Sequence, residues 1–295
     1  MVLAAAIAGI SVAAPLVRVS HAHPVAIATW RLAFSLVIVA VLLLPGRGWR
    51  QWARLSRREL ALAIGAGVML ALHFWSWNTS VGLTTVAASV VLVNLQPVIV
   101  AVLSVLWLGE PPDRRQWLGI VLAMVGAAVV AAPDMAVAWG TAGTGDRRAL
   151  LGDLLALLGG VTAALYYLTG RRLRRILDLW PYVSLVYGAC LATLLGIAIV
   201  AKVPLGGQPP RELAIFAALA IGPMMLGHTG MNWALKYLPA YVVNLTVLGE
   251  PVGATVLAAA LPGIREIPPL ATLGGGTLVL GGILIALQRR GQPER

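Results

Sequence analysis

Cysteine is almost absent from the chain. Cys190 is the single thiol among 295 residues, so neither a disulfide framework nor a metal site built from several cysteines can form. Acid is scarce as well: eleven Asp and Glu stand against twenty-two Lys and Arg, and charged residues of both signs amount to only 11% of the chain. With 59% hydrophobic residues and a mean hydropathy of +0.87, that composition excludes an ordinary water-soluble domain and makes lipid the expected solvent. Motifs of enzyme chemistry are missing too. No GxSxG, HExxH, Walker A or CxxC pattern occurs, and the glycine run Gly274 to Gly276 follows no strand, so no enzyme, metal or cofactor is expected. The opening MVLAAAIAGI has no basic stretch or cleavage site, so it reads as a retained membrane span rather than a signal peptide.

What the chain does have is apolar runs of membrane-crossing length. A helix needs about 20 apolar residues to cross a bilayer core about 30 Å thick. Hydropathy divides the sequence into ten such runs, near residues 2–18, 24–44, 59–78, 84–107, 115–132, 150–170, 181–201, 211–235, 240–261 and 269–288. The net charge of +11 falls in the short connections between them. If the N-terminus is cytoplasmic, fifteen Lys and Arg lie on the inner side and six on the outer, with Arg31 inside a span. The dense clusters Arg47 to Arg58 and Arg171 to Arg175 both fall inside, as the positive-inside rule requires. The charge is thus read as topology, with lipid headgroups as the other reading and no nucleic-acid partner. A multi-pass protein with both termini cytoplasmic is expected.

The two halves of the sequence answer one another. Asn78 precedes Gln96-Pro97 by 18 and 19 residues, and Asn232 precedes Glu250-Pro251 by the same intervals, an offset of 154. Gly109 and Gly263 keep that register; after a slip of two residues, Glu110, Gly119 and Gly126 correspond to Glu266, Gly275 and Gly282. Identity is low, seven of 32 positions from Asn78 to Gly109, but both copies place the match at the third and fourth of five spans. Five is odd, so the second copy enters the membrane from the opposite side. The expected fold is therefore all-α, ten transmembrane helices arranged as two inverted five-helix repeats, which is a transporter architecture. Residues 1–133 form the first repeat, 134–149 an external connecting loop, 150–288 the second repeat and 289–295 a cytoplasmic tail.

Polar groups inside spans are costly, about 3 kcal/mol for a central charge on insertion scales, so each needs a partner or a role. Pro97 and Pro251 each deprive an earlier carbonyl of its amide donor, which makes them packing kinks or paired hinges. Glu250 is the only acid deep in a span and Arg31 the only arginine, so they read as a structural ion pair or as a coupling site. Glu250 could bind a proton or face a solute amine. His73, Trp77 and Asn78 in the third span have counterparts in His228, Asn232 and Trp233 in the eighth. They are either satisfied core groups or the wall of a shared cavity. Asn94, Gln96 and Tyr241 are further candidates for that cavity, with Asn94 matched only by Leu248.

Two five-span copies, each with a proline in its fourth span, together with Gly109-Glu110 followed by Gly119 and Gly126, resemble the EamA branch of the drug/metabolite transporter superfamily. The stretch RVSHAHPVAIATWRLAFSLV, with Arg31, is similar to that family's first loop and second helix, and the likeness covers essentially the whole chain. The second copy departs at LPGIREIPP, where the turn between its last two helices is expected to be rebuilt. What the resemblance implies is a secondary carrier in a bacterial inner membrane that exports small metabolites, amino acids foremost and aromatic ones among them, by alternating access. Its partners would be a small-molecule solute, the bilayer and a candidate coupling proton. The rival readings are a carrier for cationic drugs, with Glu250 as counter-charge, and a lipid scramblase or membrane scaffold without a solute cavity.

Overall fold

The computed structural model describes residues 1–84, 86–141, 147–250, 252–253 and 270–288. Every regular element among them is helical: α1 (Val2–Ser11), α2 (Ala13–Val19), α3 (Pro24–Leu43), α4 (Arg57–Leu83), α5 (Val86–Val93), α6 (Gln96–Leu108), α7 (Arg114–Thr141), α8 (Arg147–Leu173), α9 (Leu179–Val200), α10 (Pro210–Leu219), α11 (Gly230–Ala234), α12 (Ala240–Leu245) and α13 (Leu270–Leu287). A π-helical segment (Ala220–Thr229) joins α10 to α11, and short 3-10 turns occupy Gly48–Arg54 and Thr246–Leu248.

Local chemistry sets the helix ends. Ser56 and Glu59 form a capping box at the start of α4, satisfying two amides that no helical carbonyl can reach. The His23 ring accepts from the Val25 amide while Pro24 takes the first position of α3, where a missing N–H is harmless. Asp113 and Gln116 cap α7 by exchanging hydrogen bonds of 2.8 Å. Gly109 ends α6 with φ of 63°, in the left-handed region that a side chain would strain.

Six stretches are long and apolar enough to cross a membrane unbroken among the described residues: Val2–Val19, Pro24–Leu43, Arg57–Leu83, Arg147–Leu173, Leu179–Val200 and Pro210–Ala234. The hydropathy reading expects ten runs, of which the fifth and tenth fall on the helices α7 and α13. The fourth run is two helices rather than one, because Pro97 offers no amide to the Val93 carbonyl and the chain turns tightly at Asn94 and Leu95, with Leu95 N bonded to Leu92 O at 3.3 Å. Most of the ninth run, including Pro251, lies outside the described residues. The connection expected at 134–149 is shorter than that, since α7 continues to Thr141 through residues rich in alanine, a strong helix former, and α8 begins at Arg147.

Lipid offers apolar helices no hydrophobic gain on association, so they are held by close packing, and small residues at the contacts make that possible. One close pair is α7 with α13. A Cβ at Gly119 would stand 2.6 Å from the Gly282 carbonyl oxygen, and one at Gly126 would stand 2.6 Å from that of Gly275. The two helices therefore run antiparallel. Gly119 corresponds to Gly275 and Gly126 to Gly282 in the repeat, so each contact is the image of the other. Other pairs exchange in the same way: α4 against α8 has its counterpart in the π segment and α11 against α1, while α3–α9 maps onto itself.

Candidate functional site

The broken helices meet at the centre. A cavity of about 50 Å³ lies between the two halves, lined by α1, the start of α2, α3, α4, the α5–α6 break, α8, the π segment, α11 and the residues around Glu250. Its wall follows the repeat. Ala13 and Tyr167, Phe74 and His228, Trp77 and Met231, Val93 and Val247, and Gln96 and Glu250 all line it, and each pair is separated by 154 residues. Arg31 and Asn94 also line it, but their counterparts Leu185 and Leu248 do not.

Of the residues singled out in the sequence, His73, Trp77, Asn94, Gln96, His228, Glu250 and Arg31 are brought to this cavity. The two imidazoles approach from opposite halves, with ring centroids 6.0 Å apart. His73 Nδ1 faces the Gly159 carbonyl at 2.9 Å, which requires that nitrogen to carry a proton. His228 stacks on Tyr167, whose hydroxyl donates to Met231 Sδ at 3.0 Å. Gln96 donates to the Asn244 side-chain oxygen, tying the fourth span of one half to the ninth of the other.

Arg31 and Glu250 do not form an ion pair: no salt bridge among the described residues includes either. Arg31 is 2% exposed, its guanidinium carbon lies 4.3 Å from the centre of the Phe74 ring, and its Nε has no hydrogen-bond partner. Trp77 Nε1 and Asn94 Nδ2, both buried, also lack acceptors. Removing hydrogen bonds from buried donors costs about 1–3 kcal/mol each, so three such groups around one cavity call for an explanation.

Four candidates lie elsewhere. Asn78 is buried behind Trp77 and donates to the Pro24 carbonyl at 3.3 Å. Asn232 is fully buried and is held by Tyr166 and by the His228 carbonyl. Trp233 is 40% exposed and packs on Tyr237 at the outer surface. Tyr241 donates to Gln116 at 2.8 Å at one end of the bundle. Pro97 opens α6 beside Gln96, and the Val93 carbonyl it frees lies against Gly160, where a Cβ would come within 2.9 Å. Sequence reasoning missed Phe74 beneath Arg31, and Asn244 and Met231; Asn244 carried the one available signal, a second amide six residues before Glu250.

Both ends of the cavity are bridged between the halves. At one end Glu110 accepts from Arg171 at 2.9 Å and from Arg175, while Gln51 donates to Asp178 at 2.8 Å. Asp178 also receives Lys236 at 3.1 Å. At the other end Glu212 takes hydrogen bonds from Ser20 and from the His21 amide, Arg211 donates to the Val19 carbonyl at 2.9 Å, and Trp30 donates to the Leu205 carbonyl at 2.9 Å. The connections thus sort into two sets, as alternating spans require.

Known proteins point the same way. The EamA-like transporter family model matches twice, over residues 1–132 and 150–288. A protein of Archaeoglobus fulgidus named "Uncharacterized transporter" is 26% identical over 272 residues, 90% of each chain. "Uncharacterized transporter YdfC" of Bacillus subtilis is 23% identical over 218 residues, 72% of this chain and 67% of that one. A protein solved by crystallography shares the fold with a TM-score of 0.77 at 19% identity, covering 97% of this chain and 95% of its own. Matched by the family model over most of its length, with two copies of the unit, the chain belongs to the EamA-like transporter family of the drug/metabolite transporter superfamily.

Proposed function

We propose that this transporter is a secondary carrier that exports small metabolites, amino acids with aromatic ones among them, by alternating access through the central cavity. Ten spans in two inverted repeats supply two halves able to rock against each other. The observation that carries the reading is the cavity itself, lined by register-matched residues of both copies and bridged between the copies at each end. At about 50 Å³ it holds roughly three water-sized groups, so a metabolite enters only when the halves part at one end. Gln96-Pro97 and Glu250-Pro251 would then act as hinges as well as walls.

The positive-inside count supports an inner-membrane topology with both termini cytoplasmic and with the Glu110 and Asp178 contacts on the cytoplasmic side. Glu250 supplies a candidate proton site for coupling. A carrier for cationic drugs is less consistent with the wall, because Arg31 faces the same space and would repel a cation. Purified protein in liposomes preloaded with single amino acids tests the reading by counterflow. Saturable exchange of at least one is expected; none for any metabolite in a broad panel, with monodisperse protein, would refute it.

A further inference from the structure

Three lining residues with polar side chains have counterparts that do not line the cavity: His73, matched by Gly227 and already held by the Gly159 carbonyl, and Arg31 and Asn94, matched by leucines. Arg31 and Asn94 are hydrogen-bond donors, and each has a buried donor nitrogen without an acceptor; Trp77 Nε1 makes a third. The positive charge of Arg31 is likewise uncompensated by any ion pair among the described residues, and Phe74, whose ring centroid lies 4.3 Å from the guanidinium carbon, offers its hydrogens no oxygen or nitrogen acceptor. Three unpartnered donors and a buried cation around one space are complementary to an acceptor-only anion.

We propose that Arg31 is the anchor for a carboxylate of the transported solute, with Trp77 and Asn94 as supporting donors, and that Glu250 receives the solute's ammonium group. The inference rests on the amino-acid reading above and deepens it, assigning each end of a zwitterion to a named side chain. Arg31 suits the carboxylate because its fixed fork matches two oxygens, which a lysine would meet only as a point charge. Glu250 suits the ammonium because no salt bridge among the described residues includes it, and its counterpart Gln96 is already engaged by Asn244. The arrangement predicts a solute carrying both charges, preferred over the corresponding amine or acid.

The test is direct binding to purified protein of three matched probes: L-phenylalanine, 3-phenylpropionate without the amine and phenethylamine without the carboxylate. Calorimetry is expected to rank them in that order, with Arg31→Gln weakening the first two at least tenfold and Arg31→Lys recovering part of the loss. Glu250→Gln should keep 3-phenylpropionate binding and abolish the preference for phenylalanine. Thermal melts of every variant separate lost binding from lost folding. Preference for phenethylamine, or carboxylate binding unchanged by a folded Arg31→Gln, overturns the proposal. If phenylalanine fails but an aliphatic amino acid in the same panel binds through Arg31, the anchor stands and only aromatic cargo is lost. If no carboxylate binds while an uncharged metabolite shows counterflow, the carrier reading survives and this assignment does not.

Discussion

Replacing Glu110 by glutamine should loosen one end of the cavity. Glu110 sits between α6 and α7 in the first copy and receives the Arg171 guanidinium through Nη2 at 2.9 Å and Nε at 3.1 Å, with Arg175 as a second donor. Arg171 also holds the Leu235 carbonyl at 2.6 Å, so the pair clamps three connections at once. The Arg171 and Glu110 side chains are 12% and 16% exposed, so water screens them only in part, whereas Arg175 is 53% exposed and adds little. Charge-assisted hydrogen bonds in such a setting contribute about 1.5–3 kcal/mol, which at about 1.4 kcal/mol per decade means about a 10- to 100-fold shift toward the state open at this end. Spin labels placed on the two halves at this end, read by pulsed dipolar spectroscopy, should show the long-distance population rising in Glu110→Gln and in Arg171→Gln. The double variant should add little to either. Unchanged distance distributions in both single variants would refute the clamp.

Other expectations follow from single contacts. Gly282→Ala would put a Cβ 2.5 Å from the Gly119 carbonyl oxygen and should lower thermal stability by about 1–3 kcal/mol, while Gly281→Ala, whose Cβ meets only Leu122 at 4.0 Å, should be nearly neutral in the same melts. Ser56→Ala removes the capping box of α4 and should cost about 1 kcal/mol in a denaturation series, with Ser56→Thr close to the parent. The Asp178 carboxyl is held below its ordinary value first by the Gln51 hydrogen bond and then by Lys236. Its contribution is therefore complete above the unfolded-state value near 4 and is lost as pH falls through the lower folded value. Asp178→Asn should flatten the stability profile below about pH 4, and an unchanged acid limb would show that the contact is immaterial.

Much of this architecture was legible in the sequence because an inverted repeat leaves a measurable register. The 154-residue offset found from Asn78, Gln96 and Asn232 returns in the cavity wall, where five pairs keep it. Arg31, Gln96 and Glu250 stood out because ionisable and amide groups are conspicuous in apolar spans. Less legible was anything decided by helix rotation. Trp233 is next to Asn232 in sequence, yet one turns to the outer surface and the other to the interior, an outcome that a π-helical segment with Pro223 inside it makes hard to anticipate. Phe74 gave no signal, since an apolar ring in an apolar span looks like packing until the arginine above it is placed. A kink at Pro97 was legible from its missing amide, but that the fourth span would part into two helices was not, because hydropathy counts residues without showing how far the chain opens.

The central claim, one site reached from either side in turn, is tested most directly by sided accessibility. With Cys190, itself buried, replaced by serine, single cysteines at Val93 and Val247 place a reporter on each copy at corresponding positions of the cavity wall. In oriented vesicles, membrane-impermeant maleimide is expected to reach both positions from each side at measurable rates, with saturating transported solute slowing labelling from both sides. Labelling from one side only under every condition, or rates that no counterflow-active solute changes, would contradict alternating access through this cavity.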